Sequence, residues 1–150
     1  EVVRHTVQSL WGEYSSPEFD ELLIRLSRDR RFHHEVIYFA LSPMRTKSVA
    51  VCRRLVEELD DPDWNSSGRA AWGLTFGVPE EAKGLVEKGL LKALAEETHP
   101  YTRQQEFRAL RRVATEKSRE YLKSVIESET EAAPFQRLAL RVLSELDARR

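Results

Sequence analysis

Three adjacent residues, His33, His34 and Glu35, have side chains that commonly bind metal ions. Adjacent residues on a helix point about 100° apart, whereas a helical zinc site needs two histidines at positions i and i+4. No second histidine stands at that spacing from either of them. The spacing therefore predicts no metal site here, and it gives both histidines a structural or surface role.

Other residues of catalytic type lack the neighbours that catalysis requires. Acidic pairs such as Glu57-Glu58, Glu80-Glu81 and Glu96-Glu97 have no converging histidine or lysine and are typical of solvated helix faces. Cys52 is on the apolar face of its helix, with no base to activate it. The sequence also has no phosphate-binding glycine loop and no nucleophile elbow. We predict no catalytic residue and no cofactor, and an enzyme of standard type is disfavoured.

A row of basic residues is the most specific indication of a binding surface. Each lies two positions before or after a large apolar residue. Two positions correspond to about 200° around a helix, so the basic side chains are expected on the solvent side. The row consists of Arg53, Lys88, Lys92, Arg119 and Lys123. Together these charges would favour a partner with an anionic surface through their summed potential. The alternative is that they are ordinary solvated positions with glutamate neighbours.

Trp64 is a second candidate for partner binding. It directly follows the acidic turn Asp60-Asp61-Pro62-Asp63, where an exposed aromatic side chain could anchor a partner. The alternative is that Trp64 closes the end of the hydrophobic core.

Length and charge limit the class of protein. The 150 residues correspond to one domain, 1–150, and 24 Lys+Arg against 25 Asp+Glu do not support a globally basic nucleic-acid binder. A single cysteine cannot form an internal disulfide, and no apolar stretch approaches the roughly 18–20 residues that span a bilayer. No secretory signal is recognisable, so we expect a cytoplasmic protein. A first residue other than Met suggests a processed or excised chain.

The elements that must position these residues are helices. Apolar residues recur at three-and-four spacing, as in Phe19, Leu22, Leu23 and Leu26, and no stretch alternates with period two. Prolines mark helix starts, and Ser66 or Ser67 is expected to cap the helix that contains Arg69. The predicted helices span 2–13, 17–28, 32–42, 45–59, 65–76, 79–96, 100–114, 116–128 and 134–148.

Two interleaved series of residues repeat along these helices. The first helices carry a small residue followed by a large apolar one, at Ser9-Leu10, Ala40-Leu41, Ala71-Trp72, Ala109-Leu110 and Ala139-Leu140, with spacings of 31, 31, 38 and 30. The second helices have anchors at Leu22, Leu55, Leu90 and Tyr121, with spacings of 33, 35 and 31. Such periods predict an all-α solenoid of about five stacked helical hairpins.

The clearest repeat carries a family resemblance. The segment Leu59-Asp60-Asp61-Pro62-Asp63, followed by Arg69-Ala70-Ala71-Trp72-Gly73-Leu74, resembles the HEAT-like repeats of armadillo-type proteins, of the kind found in phycobilin lyases. Weaker copies are Pro100-Tyr101-Thr102-Arg103 with Ala109-Leu110, and Pro134-Phe135-Gln136-Arg137 with Ala139-Leu140. The resemblance implies a right-handed superhelix whose second helices line a concave face.

Three functions are compatible with this resemblance. The first is a non-catalytic scaffold that binds a protein partner on the concave face. The second is nucleic-acid binding, as in HEAT-like DNA glycosylases of the alkylation-repair type, which hold DNA in a basic groove. The third is a protein similar to chromophore lyases. The scaffold requires the fewest specific residues and is the function we expect.

Overall fold

The computed structural model describes residues 16–150, and the predicted helix at 2–13 lies outside them. These residues form eight α-helices and no strand, which confirms the all-α prediction. The helices are α1 (Pro17–Ser27), α2 (His33–Val36), α3 (Val49–Glu58), α4 (Trp64–Gly73), α5 (Glu80–Glu96), α6 (Pro100–Val113), α7 (Arg119–Glu127) and α8 (Ala133–Ala148). A π-helical turn, Ile37–Leu41, continues α2, and a 3-10 turn, Glu116–Ser118, precedes α7. Within this part of the chain, no helix is both long and apolar enough to cross a membrane.

Local polar groups determine where several helices begin. The side chain of Asp63 accepts a hydrogen bond from the backbone N–H of Asn65 at 3.0 Å and so caps α4. The prediction of a cap at Ser66 or Ser67 was therefore wrong, and both serines are buried within the helix. The acidic turn, rather than the serines, supplies the N-terminal cap.

Most helix ends differ from the prediction by one to three residues, and two predicted helices differ more. The helix predicted at 32–42 is divided into α2 and the π-helical turn, in which the N–H of Ser42 donates to the carbonyl of Ile37 at 3.1 Å. The helix predicted at 45–59 begins only at Val49, because Ser48 caps it. The residues directly before Ser48 are not helical, and the N–H of Lys47 donates instead to the carbonyl of Gly77, after α4, at 2.9 Å.

The helices alternate between two rows. One row contains α1, α3 and α5, and the other contains α2 with its π-helical turn, α4, α6 and α8. Neighbours within a row pack together, and α1, α3, α5 and α7 each also pack against the helix that follows them in the chain. The hydroxyl of Tyr121 in α7 donates to the carbonyl of Leu94 in α5 at 3.2 Å, which extends the first row.

Neighbours in a row run parallel. In the second row, Arg69 donates to the carbonyl of Tyr38, and Gly73 lies against Ser42 one turn further along both helices. In the first row, Gly89 lies against Val56, and the Lys92 ammonium is 3.6 Å from the Asp60 carboxylate. The contacting residues are 31 to 33 positions apart in the sequence. This separation is close to the sequence period, so each helix contacts the equivalent helix one period away.

The hydrophobic core lies between the two rows. Cys52 is fully buried in it, as its position on the apolar face of α3 predicts. The largest fully buried apolar side chains are Ile37, Leu41, Leu55, Leu74, Leu90, Phe107, Leu110 and Leu122.

Three described residues of the predicted repeat register are not in the core: Leu22, Leu140 and Trp72, which is only partly buried. Leu22 is 47% exposed, and its neighbour Leu23 is buried instead. Leu140 is 53% exposed, although Ala139 beside it is fully buried. Adjacent helical residues point about 100° apart, so the direction from which α2 and α3 approach α1 decides which leucine is covered.

Candidate functional site

A cleft of about 450 Å³ opens beside the acidic turn between α3 and α4. We call it the Trp64 cleft. The end of α5 and the loop before α6 form its other side. It is lined by Leu59, Asp60, Asp61, Pro62, Trp64, Ser67, Lys92, Ala93, Glu96, Glu97, Thr98 and His99.

Trp64 is held in place while much of its side chain faces solvent. Its ring stacks on His99, with 4.5 Å between centroids and 5° between planes, and the Tyr101 ring packs edge-on with its centroid 5.7 Å away. The Thr102 hydroxyl donates to the Trp64 carbonyl at 3.1 Å. The residue is nevertheless 43% exposed. Trp64 thus packs at the N-terminal end of α4, against the start of α6, and also presents aromatic surface at the cleft.

The loop between α5 and α6 positions His99 beneath this ring. One oxygen of Glu97 accepts hydrogen bonds from the backbone N–H groups of Thr98 and His99, at 2.9 and 2.6 Å. Pro100 then begins α6. These two bonds fix the backbone that carries His99. The stacking of Trp64 on His99 therefore depends on the loop conformation as well as on helix packing.

The polar lining of the Trp64 cleft is mainly acidic. Asp60, Asp61, Glu96 and Glu97 contribute four carboxylates. The one basic group in the lining, Lys92, is 3.6 Å from Asp60 and partly neutralises it. A net negative lining beside an aromatic face is suited to a cationic group, because Coulomb attraction and cation–π attraction act together.

A buried carboxylic acid lies on α6, close to these charges. Glu106 is fully buried, and neither of its carboxyl oxygens has a hydrogen-bond partner among the described residues. Burial, reinforced by the nearby negative charge of Glu97, raises the pKa of Glu106 to about 8, although the Arg103 guanidinium opposes the shift. Glu106 therefore carries a proton at neutral pH.

The structure divides the predicted row of basic residues into three groups. Arg53, Lys88 and Lys123 are exposed, and none forms an ion pair with another residue of 16–150. Lys92 pairs with Asp60 at the cleft.

Arg119 is the most constrained member of the row. Its side chain is only 14% exposed and lies 2.8 Å from Glu116 and 2.7 Å from Asp147. Arg119 therefore joins the start of α7 to the end of α8, and much of its charge is already compensated.

The structure also brings together three residues that the sequence pattern did not connect. The His33 Nε2 atom is 2.6 Å from Glu58 Oε1 and 3.8 Å from Asp61 Oδ2. Atoms of metal-ligand type on these residues lie within 4.8 Å of one another. His34, by contrast, stacks on Tyr38 and belongs to no such cluster within the described chain.

One sequence signal pointed to this cluster. Glu58 is three residues beyond Leu55, so it lies on the buried side of α3 together with Arg54. A Glu and an Arg at i and i+4 on a buried helix face require partners from elsewhere in the fold. Burial raises the pKa of Glu58, while Arg54 and His33 oppose the shift.

Comparison with known proteins assigns no family to the chain. No family model matches it, and no curated protein is significantly similar to it. Any functional conclusion therefore depends on the residues and their geometry.

Proposed function

We propose that this protein is a non-catalytic interaction scaffold in which HEAT-like helical pairs stack into a right-handed α-solenoid. Support comes from the two rows of parallel helices, whose neighbours are separated by about one sequence period. Such stacks need only a rigid surface to bind a partner. No group of catalytic residues among 16–150 favours an enzyme over this function.

The Trp64 cleft is the proposed docking site, and the observation that carries this proposal is the 43% exposure of a tryptophan held rigidly by stacking. Large aromatic side chains that are already ordered contribute strongly to protein interfaces, since little side-chain entropy is lost on binding. The four carboxylates in the cleft lining favour a partner segment that carries Lys or Arg. The cleft thus favours a basic segment, whereas the row of basic residues led us to expect an anionic surface.

A peptide-binding experiment tests the proposed docking site. Fluorescence anisotropy would compare the labelled peptides GRKRKRG and GEDEDEG with the full chain at low salt. We expect only the basic peptide to bind, and Trp64→Ala and Glu96→Gln each to weaken binding about tenfold, or roughly 1.4 kcal/mol. Glu127→Gln makes the same charge change in α7 outside the cleft lining and should have little effect. Equal losses for Glu96→Gln and Glu127→Gln would refute a specific cleft.

The exposed cations support nucleic-acid binding as a second candidate function. Arg53, Lys88 and Lys123 come from three helices, α3, α5 and α7, and are exposed without ion pairs among the described residues. If they contact phosphates, binding of a 20-base-pair duplex should weaken steeply with the logarithm of salt concentration. No duplex binding at low salt would eliminate this function. Nothing observed in residues 16–150 favours a chromophore lyase, and we do not propose that function.

A charge-reversal variant tests the exposed cations directly. We expect Lys88→Glu combined with Lys123→Glu to leave the melting temperature nearly unchanged, because both side chains are exposed, and to abolish duplex binding. A calorimetric melting curve and a duplex titration would measure the two effects. A large loss of stability would show that these side chains are packed.

A further inference from the structure

We propose that His33, Glu58 and Asp61 form a binding site for a divalent transition-series cation such as Zn²⁺. His33 is the first residue of α2, Glu58 is the last residue of α3, and Asp61 belongs to the acidic turn that follows α3. The sequence predicts no metal site because His33 has no partner nearby in the chain. The fold supplies its partners from 25 and 28 positions away.

The ligand atoms are close enough for one ion to bridge them. The separations do not exceed 4.8 Å, and three atoms at the corners of a triangle with sides of that length would each lie about 2.8 Å from its centre. Zinc ligands lie at about 2.0–2.2 Å, so each atom would need to move inward by less than about 1 Å. His33 Nε2 and Glu58 Oε1 are 2.6 Å apart, which is a hydrogen-bond distance. Tetrahedral ligands at zinc distances are about 3.4 Å apart, so these two atoms must separate slightly when a cation binds.

Neighbouring groups hold Glu58 in a suitable orientation. The Arg54 guanidinium is 2.9 Å from the other oxygen of Glu58, and the Nε–H of Arg54 donates to the Ser27 hydroxyl at 2.9 Å. Both charged side chains are almost fully buried. Glu58 Oε1 therefore remains directed at His33, in the way that partners outside the ligand set orient metal ligands.

Solvent reaches the cluster from one side. The His33 and Asp61 side chains are each 26% exposed and border a cleft of about 560 Å³. Three protein ligands and a solvent-accessible side leave at least one coordination position for water or an exchangeable ligand. This arrangement corresponds to an open site rather than to a closed structural one.

The charge balance of the cleft permits a cation. Among the described residues, Asp61 is the one carboxylate of the lining without a Lys or Arg ion-pair partner. The other three carboxylates pair with Arg28, Arg54 and Lys92. The charged residues are Arg28, Arg30, Arg54, Glu57, Glu58, Asp60 and Asp61. One imidazole with two carboxylates suits Zn²⁺ or Mn²⁺, whereas Mg²⁺ and Ca²⁺ prefer oxygen ligands alone.

Isothermal titration calorimetry with ZnCl₂, MnCl₂ and MgCl₂ tests this site on the full chain. We expect one Zn²⁺ per chain and no measurable Mg²⁺ binding at pH 7.5. His33→Ala and Asp61→Asn, which change partly exposed side chains and should leave the fold intact, should each weaken Zn²⁺ binding at least tenfold. His34→Ala is the matched control, because His34 is the next residue and lies outside the cluster; it should change the affinity less than twofold.

A second measurement locates the ion. In long-range ¹H–¹⁵N spectra, Zn²⁺ should shift the Nε2 resonance of His33 and leave the resonances of His34 unchanged. Absence of Zn²⁺ binding, or equal losses in the His33→Ala and His34→Ala variants, would overturn the proposal. Neither readout involves a peptide or a duplex, so the outcome is independent of the proposed function.

Discussion

Glu106 and Lys47 are buried residues whose charges are opposed by their surroundings. Glu106 has no hydrogen-bond partner among the described residues, whereas the Lys47 ammonium donates to the carbonyls of Met44 and Phe76 at 2.6 and 2.9 Å. The ammonium also lies 4.1 Å from the centroid of the Phe76 ring. Burial raises the pKa of Glu106 to about 8 and lowers the pKa of Lys47 to about 7. The two residues should therefore affect the pH dependence of stability in opposite directions.

For Glu106, the folded chain retains a proton that the unfolded chain loses near pH 4.5. The free energy of unfolding should therefore fall as the pH rises from about 4.5 to 8. We expect Glu106→Gln to remove this fall and to be more stable than the unchanged chain at pH 8, on the order of 3 kcal/mol. Urea denaturation at pH 5 and pH 8 measures the difference. Parallel pH profiles for the two chains would show that Glu106 is not protonated at neutral pH.

For Lys47 the sign is reversed, because the unfolded chain keeps its proton up to about pH 10.5. Between about pH 7 and 10.5 the unfolded state binds more protons, so this residue makes stability rise with pH. We expect Lys47→Met to lose this rise and also to be less stable at every pH, since the Met44 and Phe76 carbonyls lose their donor. Urea denaturation at pH 7 and pH 9.5 tests this. A rise that persists in the variant would contradict the assignment.

Two glycines show how closely the helices approach one another. A Cβ atom on Gly73, at the end of α4, would lie 2.7 Å from the backbone of Ser42. Gly84, in α5, has nothing within 4 Å of its Cβ position. The first glycine permits close packing of α4 on the π-helical turn, whereas the second has no packing role that the structure shows.

We expect opposite effects when each glycine is replaced by alanine. Gly73→Ala should destabilise the protein by about 1–3 kcal/mol, because the Ser42 backbone must move. Gly84→Ala should stabilise it by up to about 1 kcal/mol through helix propensity alone. Thermal melting of both variants measures the effects. An unchanged melting temperature for Gly73→Ala would show that α4 and the π-helical turn are not in close contact.

The positions of the helices could be predicted from the sequence, but the cleft and the histidine cluster could not. The three-and-four spacing of apolar residues and the prolines at helix starts are local signals, and together they predicted a helix at each of the eight described positions. Which face of a helix is covered depends on its neighbours, which is why Leu23 rather than Leu22 lies in the core. The stacking of Trp64 on His99 joins positions 35 residues apart, and its geometry depends on a loop held by Glu97.

At the scale of the whole molecule, near-zero net charge coexists with separated charges. The Trp64 cleft is acidic, while Arg53, Lys88 and Lys123 are exposed cations on α3, α5 and α7. The total of 24 basic and 25 acidic residues therefore does not describe either surface. Two partners of opposite charge could bind such a molecule at different places.

Contacts in the described chain are mainly between neighbouring helices, and this should make unfolding local. Within residues 16–150, the first helix, α1, packs on α2 and α3, and the last helix, α8, packs on α6 and α7. When each unit contacts only its neighbours, a defect at one end can open without disrupting the other end. Leu122 in α7 and Leu55 in α3 are both fully buried, so they are matched sites for such a defect.

We expect Leu122→Ala to increase amide hydrogen exchange in α7 and α8 far more than in α1 to α3. Truncating a buried leucine costs about 2–5 kcal/mol, and this loss would be confined to the last helical pair and the part of α6 beside it. Leu55→Ala is the control: it removes the same atoms from α3, which packs on α1, α4 and α5, and should spread the increase more widely. Hydrogen exchange followed by mass spectrometry measures both variants peptide by peptide. If Leu122→Ala instead increases exchange equally in every helix, the eight helices unfold as one cooperative unit, and nearest-neighbour packing does not govern their stability.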